Sequence, residues 1–297
     1  MTAPELFDRR LLRLRRERAA RQGERPDFLL ARTAEEMADR LLAVKREFAP
    51  VLTVGAVPGL LAEAFRRIGG DGPRIEMAAS PALVLAAGRS AALCGEEELL
   101  PFKDASLGLV VSGLMLQFAN DLPGALVQIR RALKPDGLVL GAVLGGQTLA
   151  ELRDAFITAE TEQEGGASPR VMPMADVRDY GALMQRAGFA LPVVDADPVA
   201  VTYGSPLALL RDLRGMGATN VLLARRKSFL RRATLARTLE IYQERYAAGP
   251  GRVKASFEII YLAGWAPHES QQKPLKPGSA AARLADALGV EEHRLKR

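Results

Sequence analysis

The chain has 297 residues, of which 48% are hydrophobic and 26% are charged, and its net charge is +6. This balance is typical of a soluble globular protein, and the length allows one large core or two modest ones. The longest stretch without a charge covers 16 residues, 105–120, whereas a membrane helix needs roughly 18 apolar residues. We therefore expect no transmembrane segment. The N-terminal region mixes acids with arginines, unlike a secretion signal, so a cytoplasmic location is predicted.

Cysteine and histidine are scarce in this chain. The single cysteine, Cys94, excludes an internal disulfide and a cysteine-based metal cluster. An iron site of two histidines and one carboxylate would need both His268 and His293. Both lie in a tail rich in glycine, proline and lysine, which is a poor scaffold for such a site. No metal is expected.

The positive charge is concentrated in an N-terminal arm. Residues 9–25 hold eight arginines and two glutamates, which accounts for the whole net charge. Phe7, Leu11 and Leu14 recur at helical spacing, which predicts a basic amphipathic helix. Three interpretations stay open: a solvated helix lying across the domain, peripheral docking on an acidic protein or anionic membrane, and nucleic-acid binding. Nucleic acid is the least favoured, because no aromatic residues stand between the arginines to stack on bases.

Short apolar runs alternate with amphipathic segments through the first half of the chain. After a helix near 34–48, strands are predicted at 51–54, 74–78, 91–94, 107–113 and 138–144. Helices are predicted between them at 58–68, 81–88 and 122–133. This alternation predicts a parallel sheet with right-handed crossovers.

The second half departs from this rhythm. Thr148 and Glu151 have the spacing of a capping box that opens a helix toward Thr161. A helix at 175–187 and a strand at 193–203 follow, and two helical segments, 206–215 and 226–247, precede a long strand at 255–265. We expect the two helical segments to be an insertion that covers the substrate side. The predicted organisation is an arm at 1–47, a domain at 48–267 with an insertion at about 204–250, and a tail at 268–297.

Ligands of a parallel sheet bind outside the carboxyl ends of its strands. The loop after the first predicted strand contains Gly55 and Gly59 but lacks a G-x-G-x-x-G pattern. It is therefore either a cofactor loop or a helix-start turn that needs small residues for packing.

The turn Leu133-Lys-Pro-Asp-Gly137 carries a more specific signal. Together with Asn120-Asp-Leu-Pro and Leu100-Pro-Phe upstream, it resembles the class I S-adenosylmethionine-dependent methyltransferases. That resemblance implies an α/β, Rossmann-like fold with a seven-stranded, mostly parallel sheet and helices on both faces. It also implies S-adenosylmethionine as cofactor.

Motifs outside the cofactor half narrow the resemblance. Gly145-Gly-Gln-Thr-Leu-Ala-Glu-Leu-Arg153, Asp212-Leu-Arg-Gly-Met-Gly217 and Ala263-Gly-Trp-Ala-Pro-His-Glu-Ser-Gln271 are similar to one subgroup. It is the group of the mitochondrial respiratory complex I assembly factor of methyltransferase fold and its alphaproteobacterial relatives. The resemblance covers roughly residues 5–275 and implies arginine hydroxylation of a complex I subunit.

Carried over position by position, the resemblance implies an incomplete cofactor site. An acid is expected at Thr53 and a glycine at Val57, while Met77 stands where an acid would bind the ribose hydroxyls. The strand-four acid is replaced by Gly108, and a His-Trp pair by Gln117-Phe118. The candidate cofactor-binding residues are Thr53, Gly55, Gly59, Met77, Glu96 and Ser112.

Three residues are candidates for acting on a substrate. Glu162 or Glu164, before the Gly165-Gly166 loop, could face a guanidinium group, although alternate residues of a helix cannot all face one site. His268 follows the last predicted strand and could approach the carboxyl edge of the sheet.

Two classes of function remain open at this point. The first is an enzyme that modifies a protein side chain, by methylation or hydroxylation. The second is a non-catalytic assembly factor that keeps the fold and the partner surface. A relative of the malonyl-carrier-protein methyltransferases of biotin synthesis is a further alternative with the same fold.

Overall fold

The computed structural model describes residues 5–22, 26–55, 59–65, 72–87 and 91–272. The chain divides into two compact units, Met1–Pro267 and His268–Arg297. The helices and strands of the described residues belong to the first unit.

A seven-stranded sheet lies at the centre of this unit. Its order is β3-β2-β1-β4-β5-β7-β6, in which β7 pairs antiparallel with both β5 and β6 and the other neighbours are parallel. The predicted seven-stranded, mostly parallel sheet is therefore confirmed. The strands are β1 (Val51–Gly55), β2 (Arg74–Ala78), β3 (Ala92–Cys94), β4 (Leu107–Gly113), β5 (Leu133–Leu144), β6 (Ala190–Tyr203) and β7 (Val253–Trp265).

Helices cover both faces of the sheet, as the resemblance implied. One face packs against α2, α3, α6, α8 and α9, and the other against α5 and α7. The helices are α1 (Arg9–Ala20), α2 (Phe28–Leu42), α3 (Leu60–Ala64), α4 (Pro81–Ala87), α5 (Leu122–Ala132), α6 (Ala150–Glu164), α7 (Val177–Arg186), α8 (Pro206–Gly215) and α9 (Arg232–Arg245). Helices α8 and α9 lie between β6 and β7, so the chain carries the expected helical insertion before its last strand. No helix among these is both long and apolar enough to span a bilayer.

The start of α6 differs from the prediction. Leu149, with φ 55°, precedes the helix and caps it with no side-chain hydrogen bond. Thr148 Oγ1 instead accepts a hydrogen bond from the Glu258 amide at 3.0 Å. Glu151 accepts from the Ser256 amide at 3.1 Å and from its hydroxyl at 2.5 Å. The predicted capping box is wrong, because both side chains bind β7 rather than the helix end.

The arm lies across the domain, but its buried face is not the predicted one. Leu12, Arg16 and Ala19 are the buried residues of α1, while Leu14 is 40% exposed. Phe7 precedes the helix and forms an antiparallel bridge with Leu222, in the segment after α8. The arm is therefore held by backbone pairing with the insertion as well as by side-chain burial.

Candidate functional site

The turn after β1 is closed by a carboxylate from β2. Gly59 has φ 82°, a left-handed conformation that favours glycine. Its amide donates to Glu76 Oε1 at 2.5 Å, and Glu76 is 6% exposed. Gly55 ends β1 beside Gly113 of β4. Glu76 was not among the predicted site residues, although a charged residue in a buried strand was a signal for it.

The predicted cofactor loop begins at Thr53 in β1 and reaches Gly59. Val57, the position of the missing glycine, lies outside the described residues. Thr53 does lie in the buried part of β1, 4% exposed. Its hydroxyl is 3.4 Å from the Ile75 carbonyl oxygen of β2, a long hydrogen bond within the sheet.

Met77 fills space between β2 and the loop that follows β3. It is 1% exposed and belongs to the same apolar cluster as Leu52 and Val54. A Cβ added to Gly95 would lie 2.7 Å from Met77 Sδ, so the thioether lies directly against this glycine. The position implied for the ribose acid therefore contributes to the core.

Glu96 is engaged by the arm. The Arg9 guanidinium lies 3.0 Å from Glu97, 3.5 Å from Glu98 and 3.8 Å from Glu96. Burial lowers the pKa of Arg9, but the three carboxylates outweigh burial and leave that pKa raised. The loop after β3 thus binds a cation of the same chain.

These residues do not fit the adenosine half of S-adenosylmethionine. Ribose hydroxyls need charged or polar acceptors, and Met77 offers a buried thioether at that position. Glu96 is 38% exposed at its side chain but is shared with Arg9. We therefore derive no chemical step through this cofactor.

Two polar groups near the end of β4 lack partners among the described residues. The Ser112 hydroxyl is buried and makes no hydrogen bond there. Gln117 is 7% exposed, and its Nε2 donates to the Leu114 carbonyl at 3.0 Å. Its Oε1 is buried and accepts no hydrogen bond in the described part of the chain.

A cavity of about 600 Å³ lies beyond the carboxyl ends of β4 and β5. Side chains from α1, α2, α6 and α8 form its walls, and most of them are apolar. The six candidate cofactor residues are not part of its lining, whereas Gln117 is. Its cationic lining residues are Arg15, Arg16, Arg170, Arg211 and Arg214.

Two glycines of the Asp212–Gly217 motif allow the insertion to approach the arm closely. Gly217 has φ 70°, and a Cβ there would lie 3.2 Å from Arg16 Cα. A Cβ on Gly215 would lie 2.6 Å from Pro26 Cδ. This motif therefore closes one wall of the cavity, which gives a physical reason for its residue pattern.

The acidic end of α6 binds arginines of the same chain. Glu160 is fully buried and accepts from the Ser168 amide at 2.6 Å and from Arg170 Nε at 2.7 Å. Burial raises the pKa of Glu160, but these hydrogen bonds outweigh it and leave that pKa lowered. Glu162 accepts from Arg237 Nε at 2.6 Å, and Glu164 accepts from Thr234 Oγ1 at 2.6 Å and also from Arg226.

The cavity lining does not include Glu162 or Glu164. Both carboxylates join α6 to the insertion instead. The structure thus gives each of them a structural partner, and we do not carry them into a catalytic role.

His268 belongs to the second compact unit. Its Nδ1 lies 2.7 Å from the Ser270 hydroxyl, in a turn that Gln271 closes. Its catalytic role stays a prediction. Within the described ranges, no group of three or more histidine, cysteine or acidic side chains is placed to hold a metal ion.

Comparisons with known proteins agree with this architecture. Residues 52–141 match the family described as methyltransferase domain. The YcgJ protein of Bacillus subtilis superposes with a TM-score of 0.54 at 12% identity, covering 78% of this chain and 98% of that one. A Bacillus halodurans protein described as a methyltransferase gives 0.53 at 14%, covering 78% and 99%. These likenesses establish the fold.

Curated relatives extend over most of the chain. The mitochondrial arginine-hydroxylase NDUFAF5 of Danio rerio is 39% identical over 95% of this chain and 89% of its own length. The human protein is 39% identical over 95% and 83%. A malonyl-[acyl-carrier protein] O-methyltransferase of Halorhodospira halophila is 32% identical over 87% and 88%. The chain therefore belongs to the methyltransferase family and, within it, is similar to the arginine-hydroxylase NDUFAF5.

Proposed function

We propose that the protein hydroxylates an arginine of a protein substrate, a subunit of respiratory complex I, in a two-electron oxidation that takes its oxygen atom from an oxidant supplied as co-substrate. One observation carries this proposal: the 39% identity to NDUFAF5 spans 95% of the chain. It therefore includes the arm and the insertion as well as the sheet.

The parts outside the cofactor half support the same proposal. The motif at 145–153 ties α6 to β7 through Thr148 and Glu151. The motif at 212–217 brings α8 against the arm. Both motifs shape the cavity beyond β4 and β5, where a substrate side chain would enter.

We infer that S-adenosylmethionine binds weakly, if it is used at all. Losing a charged acceptor for the ribose hydroxyls costs on the order of 1.5–3 kcal/mol. Val57, in place of a glycine, would add a clash of similar size with the ligand. Together these losses, roughly 3–5 kcal/mol, turn a micromolar ligand into a near-millimolar one.

The test is mass spectrometry of complex I subunits from a deletion strain and from the same strain complemented with the wild-type gene. An arginine peptide heavier by one oxygen atom in the complemented strain, and lost on deletion, supports the hydroxylase. An unmodified subunit in the complemented strain, with complex I assembly failing only on deletion, supports the non-catalytic assembly factor.

A second candidate function is methyl transfer to a malonyl group on a carrier protein. Two observations favour it: the 32% identity to the Halorhodospira halophila enzyme and the arginines that line the cavity, which suit a carboxylate. Incubation with malonyl-carrier protein and S-adenosylmethionine would yield a methyl ester, seen as a mass increase of the carrier. If no ester forms at millimolar S-adenosylmethionine, this candidate function is excluded.

We also propose peripheral contact with an anionic membrane. The arm presents Arg10, Arg18 and Arg21 to solvent. Phe229 is 99% exposed between basic residues of the insertion, and an exposed aromatic side chain beside cations suits a lipid interface. Co-sedimentation with anionic vesicles but not with neutral ones is the expected result, and equal recovery with both would contradict it.

A further inference from the structure

Arg16 is a buried cation that faces the cavity. It is 5% exposed, it lines the cavity, and its guanidinium stacks on Phe118 at 5.0 Å from the ring centroid. In the described part of the chain it forms no ion pair and donates no hydrogen bond. Burial lowers the pKa of Arg16 to about 10, so it remains charged at neutral pH. A buried charge without a partner is costly, and an anionic ligand that paired with it would remove that cost.

The charged groups nearest to Arg16 do not remove this need. Glu97 attracts the Arg16 guanidinium and Arg9 repels it. One carboxylate oxygen of Glu97, however, already accepts a hydrogen bond from Arg9 at 3.0 Å. The second Glu97 oxygen is buried and accepts no hydrogen bond from a described residue. Glu97 therefore attracts Arg16 only at long range. The competing explanation for the buried Arg16 is that it forms a purely structural pair with Glu97.

Gln117 also lines this cavity and directly precedes Phe118, on which Arg16 stacks. Its Oε1 is itself buried and accepts no hydrogen bond from a described residue. A ligand in the cavity would thus meet the Arg16 cation. The remaining lining is largely apolar, and includes Leu29, Leu30, Leu114, Leu149, Leu152 and Phe156.

We propose that this cavity binds a carboxylate carried on an apolar body, with Arg16 as its anion-binding residue. The volume of about 600 Å³ suits a small organic acid. The proposal is independent of the arginine modification. A carboxylate bound at Arg16 would also offset the repulsion between the cavity arginines and an incoming guanidinium, so the two are compatible.

The experiment is calorimetric titration of the full chain with octanoate, and with octanamide as the neutral analogue. We expect octanoate to bind at least about 10-fold more tightly than octanamide, because a charge-assisted hydrogen bond is lost in the amide. Arg16→Met should weaken octanoate by about 10-fold or more, and Arg18→Met, an exposed arginine of the same helix, by less than about 2-fold.

Thermal unfolding separates binding from folding. Arg16→Met removes an unpaired buried charge, so its melting temperature should equal or exceed that of the wild type. Equal octanoate affinity in both proteins, combined with a lower melting temperature of the variant, would overturn the proposal and assign Arg16 to Glu97. Displacement of octanoate by S-adenosylmethionine would also overturn it, because the carboxylate site would then hold the methionine end of that cofactor.

Discussion

The two ends of one sheet edge differ in what occupies them. Beyond β1, β2 and β3, two positions implied for adenosine are engaged by the chain itself, with Met77 against Gly95 and Arg9 among the carboxylates of the loop 96–98. Beyond β4 and β5, the same edge opens into a cavity of about 600 Å³. A shared strand order therefore does not fix which half of the edge receives a ligand.

The difference arises from a few side chains. The resemblance implies an acid at position 77, whereas the methionine there is buried among Leu52 and Val54 and gains from that burial. On the other side, Gly215 and Gly217 let the insertion meet the arm without filling the space below it. Substitutions on the two sides of the edge test this contrast.

Removing the carboxylate of Glu160 should destabilise the open side most. Glu160→Ala leaves Arg170 unpaired beside the cavity, and losing one partner of a buried ion pair costs about 3–5 kcal/mol. Urea unfolding measures this loss. Glu162→Ala, whose side chain is 41% exposed in its ion pair, is the matched control and should change stability little. Equal losses of stability for the two substitutions would show that burial does not determine how much an ion pair contributes.

Removing the Arg9 cation, which pairs with the loop after β3, should release the arm. Arg9→Gln leaves Glu97, 2% exposed, without its partner, and we expect a loss of about 3 kcal/mol. Limited proteolysis should then cleave the arm faster. Arg10 is exposed on the same helix, so Arg10→Gln should leave both measurements unchanged. Faster cleavage of that variant as well would show that the Arg9 ion pairs do not specifically hold the arm.

Restoring the family residues at positions 57 and 77 should strengthen cofactor binding. The double variant Met77→Asp, Val57→Gly should bind S-adenosylmethionine about 10-fold more tightly than the wild type, because a charged acceptor and close backbone approach return. Its melting temperature should fall, since a carboxylate replaces a residue that is 1% exposed, and rise again with the ligand. Met77→Leu with the same glycine is the control and should gain less affinity.

The glycine that closes the cavity should tolerate alanine poorly. Gly217→Ala adds left-handed strain and a Cβ 3.2 Å from Arg16 Cα, for which we expect roughly 2 kcal/mol in all. Gly165 has a similar φ of 73° with open space around it, so Gly165→Ala should cost only the strain, about 1 kcal/mol. Equal losses in denaturant unfolding would mean that the close approach to the arm has no energetic role.

Acid should weaken the contact between α6 and α9. Hydrogen bonds from Thr234 and Arg226 lower the pKa of Glu164, so this carboxylate stabilises the fold above its unfolded pKa. That contribution disappears as pH falls through the lower pKa of the folded state. The unfolding midpoint should hold from about pH 7 to 5 and decline below about pH 4. Glu164→Gln should show a shallower decline, and parallel curves would contradict this cause.

Much of the fold could be predicted from the sequence, because strand residues buried on both faces form clear apolar runs. β2 and β4 have the predicted bounds, and α8 does too. The candidate site was harder to predict. The partners of Glu162 and Glu164 lie 75 and 70 positions away, respectively, and no local pattern indicates them. Thr148 and Glu151 matched a helix signature, but β7 supplied better donors.

The arm shows a different limit of sequence patterns. Helical periodicity placed Leu14 inward, whereas Arg16 takes that role. Periodicity assigns every arginine to solvent, so it cannot find one that faces an internal cavity. The signal that would have helped is the glycine pair of the insertion, which indicates a close neighbour but not its identity.

The contact between the arm and the insertion has a consequence for biosynthesis. Asp8 and Arg225, which form an ion pair, are 217 positions apart, so Asp8 is synthesised well before its partner. Until then its arginines have no carboxylate or backbone oxygen of the insertion to bind. Since contacts between distant segments form late, we expect the cavity beside Arg16 to be the last part of the protein to form.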